Sequence, residues 1–499
     1  MPLSGVAEAS EQQQEALRLL DVAVQAMGGQ NRPGQHDMAG KVDRAFRRRE
    51  HLLVQAGTGT GKSLAYLIPL IVHALESDKP AIVATATLAL QSQIVKRDLP
   101  RLLDAIAEEL PRPVDAALLK GRNNYLCLHK LGGGFPADEA PEALFSLGEE
   151  SVPHPAPAPT SALGQEIVRL RSWAEETETG DRDEIVPGVS DRAWRQVSVS
   201  AMECLGSQKC PLAAECFSER ARLRAAEADV VITNHAMLAI NAFEGLAVLP
   251  DYDFVVIDEA HELQDRVTSA VAGQLSTAMI TAAASSARKH TGISVDALTA
   301  ASRSFESAFE GAPTGLLASG LRPEQELALS QLREAARSAV SDSKPDSSSA
   351  SDGGRQMARS RLVAILELCD RMLSSPHSRE VLWITRPANF IAGVGYGPAD
   401  DTLPPTVNIA PLSVASKLRE GLFDGHTVVL TSATLAIGRA FDAVAGSLGL
   451  LGDGARRSRP QMWAARSTTP SRACSTWRPT CPSLQEAPVR NSWMSWKPC

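Results

Sequence analysis

Eight consecutive residues, Ala56-Gly57-Thr58-Gly59-Thr60-Gly61-Lys62-Ser63, carry the clearest chemistry in the sequence. Small side chains let backbone N–H groups wrap phosphate oxygens at the start of a helix, where the helix dipole also favours an anion. Lys62 is then placed to neutralise the β- and γ-phosphates of ATP, and the Ser63 hydroxyl to ligate Mg²⁺. A second constellation, Asp258-Glu259-Ala260-His261, directly follows the apolar run FVVI. Phosphoryl transfer needs one group to hold the Mg²⁺ shell and another to orient and deprotonate the attacking water. Asp258 and Glu259 suit those roles in that order, and His261 is a candidate coupler of nucleotide state to motion. The bland alternative is an exposed acidic helix start, since carboxylates favour helix N-termini. Gln35, in RPGQ ahead of the loop, could read the adenine edge through its amide; an uncommitted surface glutamine is the competing reading.

Cysteines form the third group. Cys204, Cys210 and Cys216 recur every six residues, and Cys127 lies well upstream. Four thiolates could hold zinc or an iron–sulfur cluster, or remain free thiols. Neither the zinc-ribbon nor the ferredoxin spacing is present, so chemistry alone leaves all three open. Cys369 falls on an apolar helical face, and Cys474, Cys481 and Cys499 lie near the C-terminus; none is taken as a ligand. Tyr125 and Phe217 flank ligand positions, where core packing competes with base stacking. Arg122 is a candidate phosphate contact.

These residues need elements to position them. From about residue 50 apolar strands and helical patterns alternate: HLLVQAG, then KSLAYLIPLIVHAL, then AIVATAT, then a long helical pattern to Leu110. Three more apolar runs, DVVITNHAML, DFVVIDEAHEL and HTVVLTSATL, end in polar motifs. The alternation predicts an α/β fold with a parallel sheet of the P-loop NTPase kind, interrupted twice. The first interruption, 122–225, holds the clustered cysteines and a Pro/Ala-rich stretch (SVPHPAPAPTSALG) that reads as a linker. The second, 265–422, is Ala-rich and helical, with a Ser/Asp tract (SDSKPDSSSASDGG) that reads as a disordered loop.

Composition sets outer limits. The chain has 499 residues, 44% hydrophobic and 22% charged, enough for several domains with real cores. A net charge of -8 confines any nucleic-acid contact to a local basic track. The longest apolar run, Ala65 to Leu75, contains Pro69 and is far short of a membrane span. No secretory signal pattern opens the sequence, so a reducing cytoplasmic location is expected, with no membrane partner.

Taken together, RPGQ, AGTGTGKS, TATLALQSQ, KGRNNYLC, VITNHAML, DEAH and LTSATL occur in one order over about residues 30 to 450. That order resembles the DinG/XPD-like iron–sulfur helicases of superfamily 2. The resemblance implies a RecA-like motor domain assembled from 1–121, 226–264 and part of 423–455. It further implies an iron–sulfur insertion at 122–225, a helical arch insertion at 265–422, and the start of a second motor domain within 423–455. A [4Fe–4S] cluster on Cys127, Cys204, Cys210 and Cys216 is implied, as are Mg²⁺ and ATP as cofactors. Thr431, Ser432 and Thr434 resemble the motif that couples ATP state to the second domain. The implied activity is ATP-driven 5′→3′ translocation on single-stranded DNA and unwinding of forked or damaged DNA in repair and replication. Protein partners are not readable from the residues.

The stretch 456–499 departs from the rest. It holds four of the seven tryptophans, with no periodic apolar pattern, and reads as an out-of-frame, disordered tail. The closing block expected of the family, QxxGRxxR, does not occur, so the second motor domain is expected to be largely missing and unwinding impaired. About 30 residues precede Gln35, and a fused N-terminal exonuclease, found in some relatives, is not expected. The competing function is a non-catalytic ATP- and DNA-binding iron–sulfur module; a zinc-containing P-loop protein unrelated to DNA is the third reading.

Overall fold

A computed structural model describes residues 4–57, 59–135, 162–244, 248–344, 352–374, 379–386, 388–391, 395–399, 403–436, 440–451 and 463–465. Thr58, most of the Pro/Ala-rich stretch, the centre of the Ser/Asp tract, and Cys474, Cys481 and Cys499 lie outside the described residues.

The predicted strands form at β1 (Leu52–Ala56), β2 (Ala81–Thr85), β4 (Val230–Asn234), β5 (Phe254–Asp258) and β6 (Thr427–Ser432), joined by a short β3 (Ala116–Leu118) and by β7 (Trp463–Ala465). They make one parallel sheet in the order β7-β1-β6-β5-β2-β4-β3. Successive strand residues point to opposite faces, and both faces are covered, which is why the strands read as unbroken apolar runs. Leu52, Val54, Val83, Val256 and Val429 face helices α1 (Ser4–Ala26), α2 (Pro33–Arg48) and α3 (Lys62–Leu75) through Leu19, Phe46, Ile68 and Ile71. Leu53, Ile82, Val255, Ile257 and Leu430 face the other way, against Leu238, Leu263, Leu418 and Phe423. Because the strands are parallel, their motif-bearing C-terminal ends share one edge of the sheet, where ligands of open α/β folds bind.

Both long interruptions connect strands that are neighbours in the sheet. Between β3 and β4, a small core of Tyr125, Leu126, Leu170, Trp194 and Phe217 forms away from the main one. It is fastened to the chain after β3 by Lys120, whose buried amine reaches both carboxylate oxygens of Asp181 (2.6 and 2.7 Å) and one of Asp183 (2.8 Å). Gly180 has φ +64° and would drive a Cβ to 2.4 Å from the Phe217 ring, so this junction requires glycine.

Between β5 and β6, helices Thr277–Thr291, Asp296–Glu310, Pro323–Asp342 and Gly353–Ser374 pack around Phe305, Phe309, Leu332 and Ile365. The sequence reading finds helices and a Ser/Asp loop in this segment, and the structure adds strands. Gly273–Ser276, Thr406–Pro411, Glu380–Thr385 and Gly315–Leu316 form a four-stranded antiparallel sheet that closes one side of the helices. Its inward residues Leu382, Ile384, Val407 and Ile409 join the same core. Buried Arg386 donates to the Ala312 and Glu310 carbonyls (2.7 and 2.6 Å), tying a helix end to the sheet. Cys369 is fully buried here, as expected, and burial pushes its thiol up to about 12.

Of the segment 456–499, only Trp463–Ala465 are among the described residues; they pair in parallel with Val54–Ala56 at the edge of β1, whose backbone groups favour an added strand. Among the described residues no helix is long and apolar enough to cross a membrane.

Candidate ATP site and cysteine cavity

The loop after β1 is shaped by its carbonyls. Gly61 has φ +82°, and a Cβ there would meet the Gln35 amide nitrogen at 2.2 Å, so both backbone angle and close approach demand glycine. Gln35 Nε2 donates to the Gly61 carbonyl (3.0 Å), the Arg32 guanidinium donates to the Gly59 carbonyl, and the Thr60 hydroxyl donates to the Gly57 carbonyl (2.7 Å). Gln35 is 5% exposed and packs against the loop itself. Lys62 and Ser63 open α3 immediately behind it.

Four of the singled-out side chains meet at the strand ends. Lys62 Nζ lies 3.1 Å from Glu259 Oε1, and the Ser432 hydroxyl donates to Glu259 Oε2 (3.2 Å). His261 Nδ1 lies 2.8 Å from Ser432 Oγ and 3.4 Å from Glu259 Oε2. The Thr434 N–H also donates to Ser432 Oγ (3.2 Å). Strand pairing makes this possible: β6 runs beside β5 with Thr431 opposite Asp258. Glu259 takes a left-handed backbone, φ 51° and ψ 44°, a conformation disfavoured for a residue with a side chain and concentrated at functional sites. Thr431 is fully buried, and its hydroxyl has no partner among the described residues.

Asp258 is held from three sides, on two of them by side chains that the sequence reading did not single out, Tyr66 and His235. Its Oδ1 accepts the Glu259 N–H (2.9 Å), its Oδ2 accepts the Tyr66 hydroxyl (3.1 Å), and its carbonyl accepts from His235 Nε2 (2.9 Å). Burial raises the Asp258 carboxyl above its ordinary range, opposed chiefly by the Lys62 charge. His235 is buried and falls to about 4, because burial penalises its charged form. Tyr66 carried one local signal, its position three residues after Ser63 on the same helical face; His235 carried none beyond its place after VITN. Gln55 was also missed: its side-chain oxygen accepts the N–H groups of Leu435 (3.0 Å) and Ala436 (2.5 Å).

The four predicted cysteines line one partly open cavity, together with Arg122 and Glu219. Among the described residues, no three His, Cys, Asp or Glu side chains are gathered into a group that could hold a metal ion as they stand. The donor set nevertheless fits a thiophilic metal centre. Burial pushes the Cys127 thiol up to about 11, with neighbouring Cys204, Cys216 and Cys210 adding to the rise, and burial also raises Cys210. Sulfurs packed this way resist ionising beside one another, and a cation is what would favour their thiolates. Arg122, expected as a phosphate contact, pairs with Glu219 (2.6 Å) and approaches Cys204 Sγ (3.5 Å). Tyr125 and Phe217 are 4% and 5% exposed, buried in the core of this segment rather than presented for stacking.

The chain is similar in sequence to known helicases. The DEAD/DEAH box helicase family matches residues 35–107. An ATP-dependent helicase DinG of Mycobacterium tuberculosis is 46% identical over 446 residues, covering 87% of this chain and 64% of the relative. The chain thus spans slightly less than two thirds of that protein's length. The ATP-dependent DNA helicase YoaA of Escherichia coli is 36% identical over 243 residues, 48% of this chain and 34% of its own. A solved structure named XPD_Helicase aligns at 14% identity with a TM-score of 0.41, covering 84% of this chain and 61% of its own; that likeness is too slight to carry an argument.

Proposed function

This chain belongs to the DinG/XPD-like superfamily 2 helicases, and from that premise we propose that it is a DNA-directed motor component driven by Mg-ATP. Lys62 receives the β- and γ-phosphates, Ser63 and Asp258 ligate Mg²⁺, and Glu259 orients and deprotonates the attacking water. His261 and Ser432, with Thr431 and Thr434 alongside, relay the state of Glu259 to β6. The observation that carries this reading is the meeting of Lys62, Glu259, Ser432 and His261 at one sheet edge. Gln35 braces the loop and is assigned to the adenine edge.

In this reading 122–225 is the iron–sulfur insertion, with Cys127, Cys204, Cys210 and Cys216 holding a [4Fe–4S] cluster that ties β3's continuation to the segment around Phe217. The segment 265–422 is the arch, and 226–264 with 423–455 completes the first motor domain and begins the second. Single-stranded DNA is the track, followed 5′→3′, with forked or damaged DNA as substrate in the cytoplasm. Hydrolysis by this chain alone is weak. The side chains described at the site come from one sheet and its flanking helices, whereas an arginine finger supplies about 10³ or more in related NTPases.

ATP turnover by the full chain, with and without single-stranded DNA, tests the proposal. Stimulation by DNA, lost in Lys62→Ala, supports a motor. ATP binding with no turnover under either condition supports a non-catalytic ATP- and DNA-binding module instead. Iron, acid-labile sulfide and zinc analysis after anaerobic purification decides between the cluster and zinc.

A further inference from the structure

Tyr66 is completely buried, yet its ring alone does not explain a tyrosine. A phenylalanine would fill the same space without burying a hydroxyl that needs a partner. The hydroxyl donates to Asp258 Oδ2 at 3.1 Å, and Tyr66 stands one turn after Ser63 on α3. Ser63 and Asp258 are the two side chains assigned above to Mg²⁺, one at the start of α3 and the other at the end of β5. Resting on that assignment, we propose that Tyr66 is a positioning residue that sets the spacing between Ser63 and Asp258, and so sets how readily Mg²⁺ is taken up with the nucleotide.

The polarity of the hydrogen bond supports this. The Tyr66 hydroxyl donates to Asp258, whose carboxylate can only accept when ionised. Because Tyr66 belongs to the helix that Ser63 opens, this bond fixes the start of α3 against the end of β5. Asp258 is constrained on the other side by the Glu259 N–H on Oδ1 and by His235 at its carbonyl. Of these supports, only the tyrosine ties Asp258 to the helix that carries Ser63. Removing it leaves each ligand in place on its own element and releases only the distance between them.

The test uses the full chain and a fluorescent ATP analogue titrated in EDTA and across a Mg²⁺ series. Tyr66→Phe is expected to bind the analogue in EDTA within about twofold of the parent. The Mg²⁺ concentration giving half of the metal-dependent gain in affinity should rise about tenfold, the scale of one hydrogen bond to a charged group. In an Asp258→Asn background the same substitution should shift the Mg²⁺ requirement far less. An unchanged Mg²⁺ requirement overturns the proposal, and so does an equal loss of affinity with and without metal, as misfolding would give. A parent chain that binds the analogue with no metal-dependent gain overturns the Mg²⁺ assignment itself, and the role of Tyr66 with it.

Discussion

The strand-end cluster around Lys62 and the cavity around Cys127 are both lined by groups suited to a charged ligand, but they satisfy those groups in opposite ways. At the strand ends Lys62 is paired with Glu259, Glu259 with Ser432, and Asp258 with Tyr66. In the cavity Cys204 receives Arg122 and the Gly206 N–H, while burial raises Cys127 and Cys210 against a backbone N–H at each, from Lys130 and Leu212. The first site is self-complementary, and on the proposed function a nucleotide there would exchange an internal ion pair for its phosphates. On the same proposal a metal centre at the second would offset what burial costs the Cys127 and Cys210 thiolates.

The sharpest way to break this contrast is to remove sulfurs. Cys127→Ser with Cys210→Ser should reduce bound metal to background and leave 122–225 open to protease, since structural zinc sites in zinc-finger peptides contribute about 10–16 kcal/mol. Metal content and limited proteolysis read this out. Analogue binding at the Lys62 site should change by less than about threefold; a parallel collapse there would mean that the two sites are one cooperative unit.

Glu259→Gln comes next. Turnover should fall about 10²–10⁴-fold, the range of a positioned proton acceptor, while ATP affinity rises a fewfold because Lys62 is released from its partner. Weaker binding would show that the Lys62–Glu259 pair prepares the loop rather than competing with phosphate.

The smallest effect concerns protons. His235 sits near 4 in the folded chain against an ordinary 6.5, so the unfolded chain binds more protons between those values. Its contribution is complete above about pH 6.5 and is lost on acidification, by at most about 3 kcal/mol near pH 4. Melting temperatures of the parent and His235→Gln should converge as the pH is lowered from 7.5 to 5; a constant gap would remove His235 from the acid response.

Much of the sheet was legible because each buried parallel strand is a short apolar run ending in a polar motif, as in FVVIDEAH and VVLTSAT. β3 was not, because three residues of AAL give no periodicity to read. The antiparallel sheet was hidden for another reason: its strands are scattered among helices, and EVLWIT gains its meaning only beside TVNIAP. At the site, residue types announced Lys62, Asp258 and Glu259, since phosphate chemistry restricts what can stand there. The left-handed turn at Glu259 and the Tyr66, His235 and Gln55 contacts depend on strand order, which no local pattern encodes.

Gln55 deserves to be followed outward. One side-chain oxygen, on the residue before the strand gives way to the phosphate loop, grips two consecutive amides beyond β6. The chain leaving β6 is therefore coupled, through one side chain, to the end of the strand that leads into the phosphate loop.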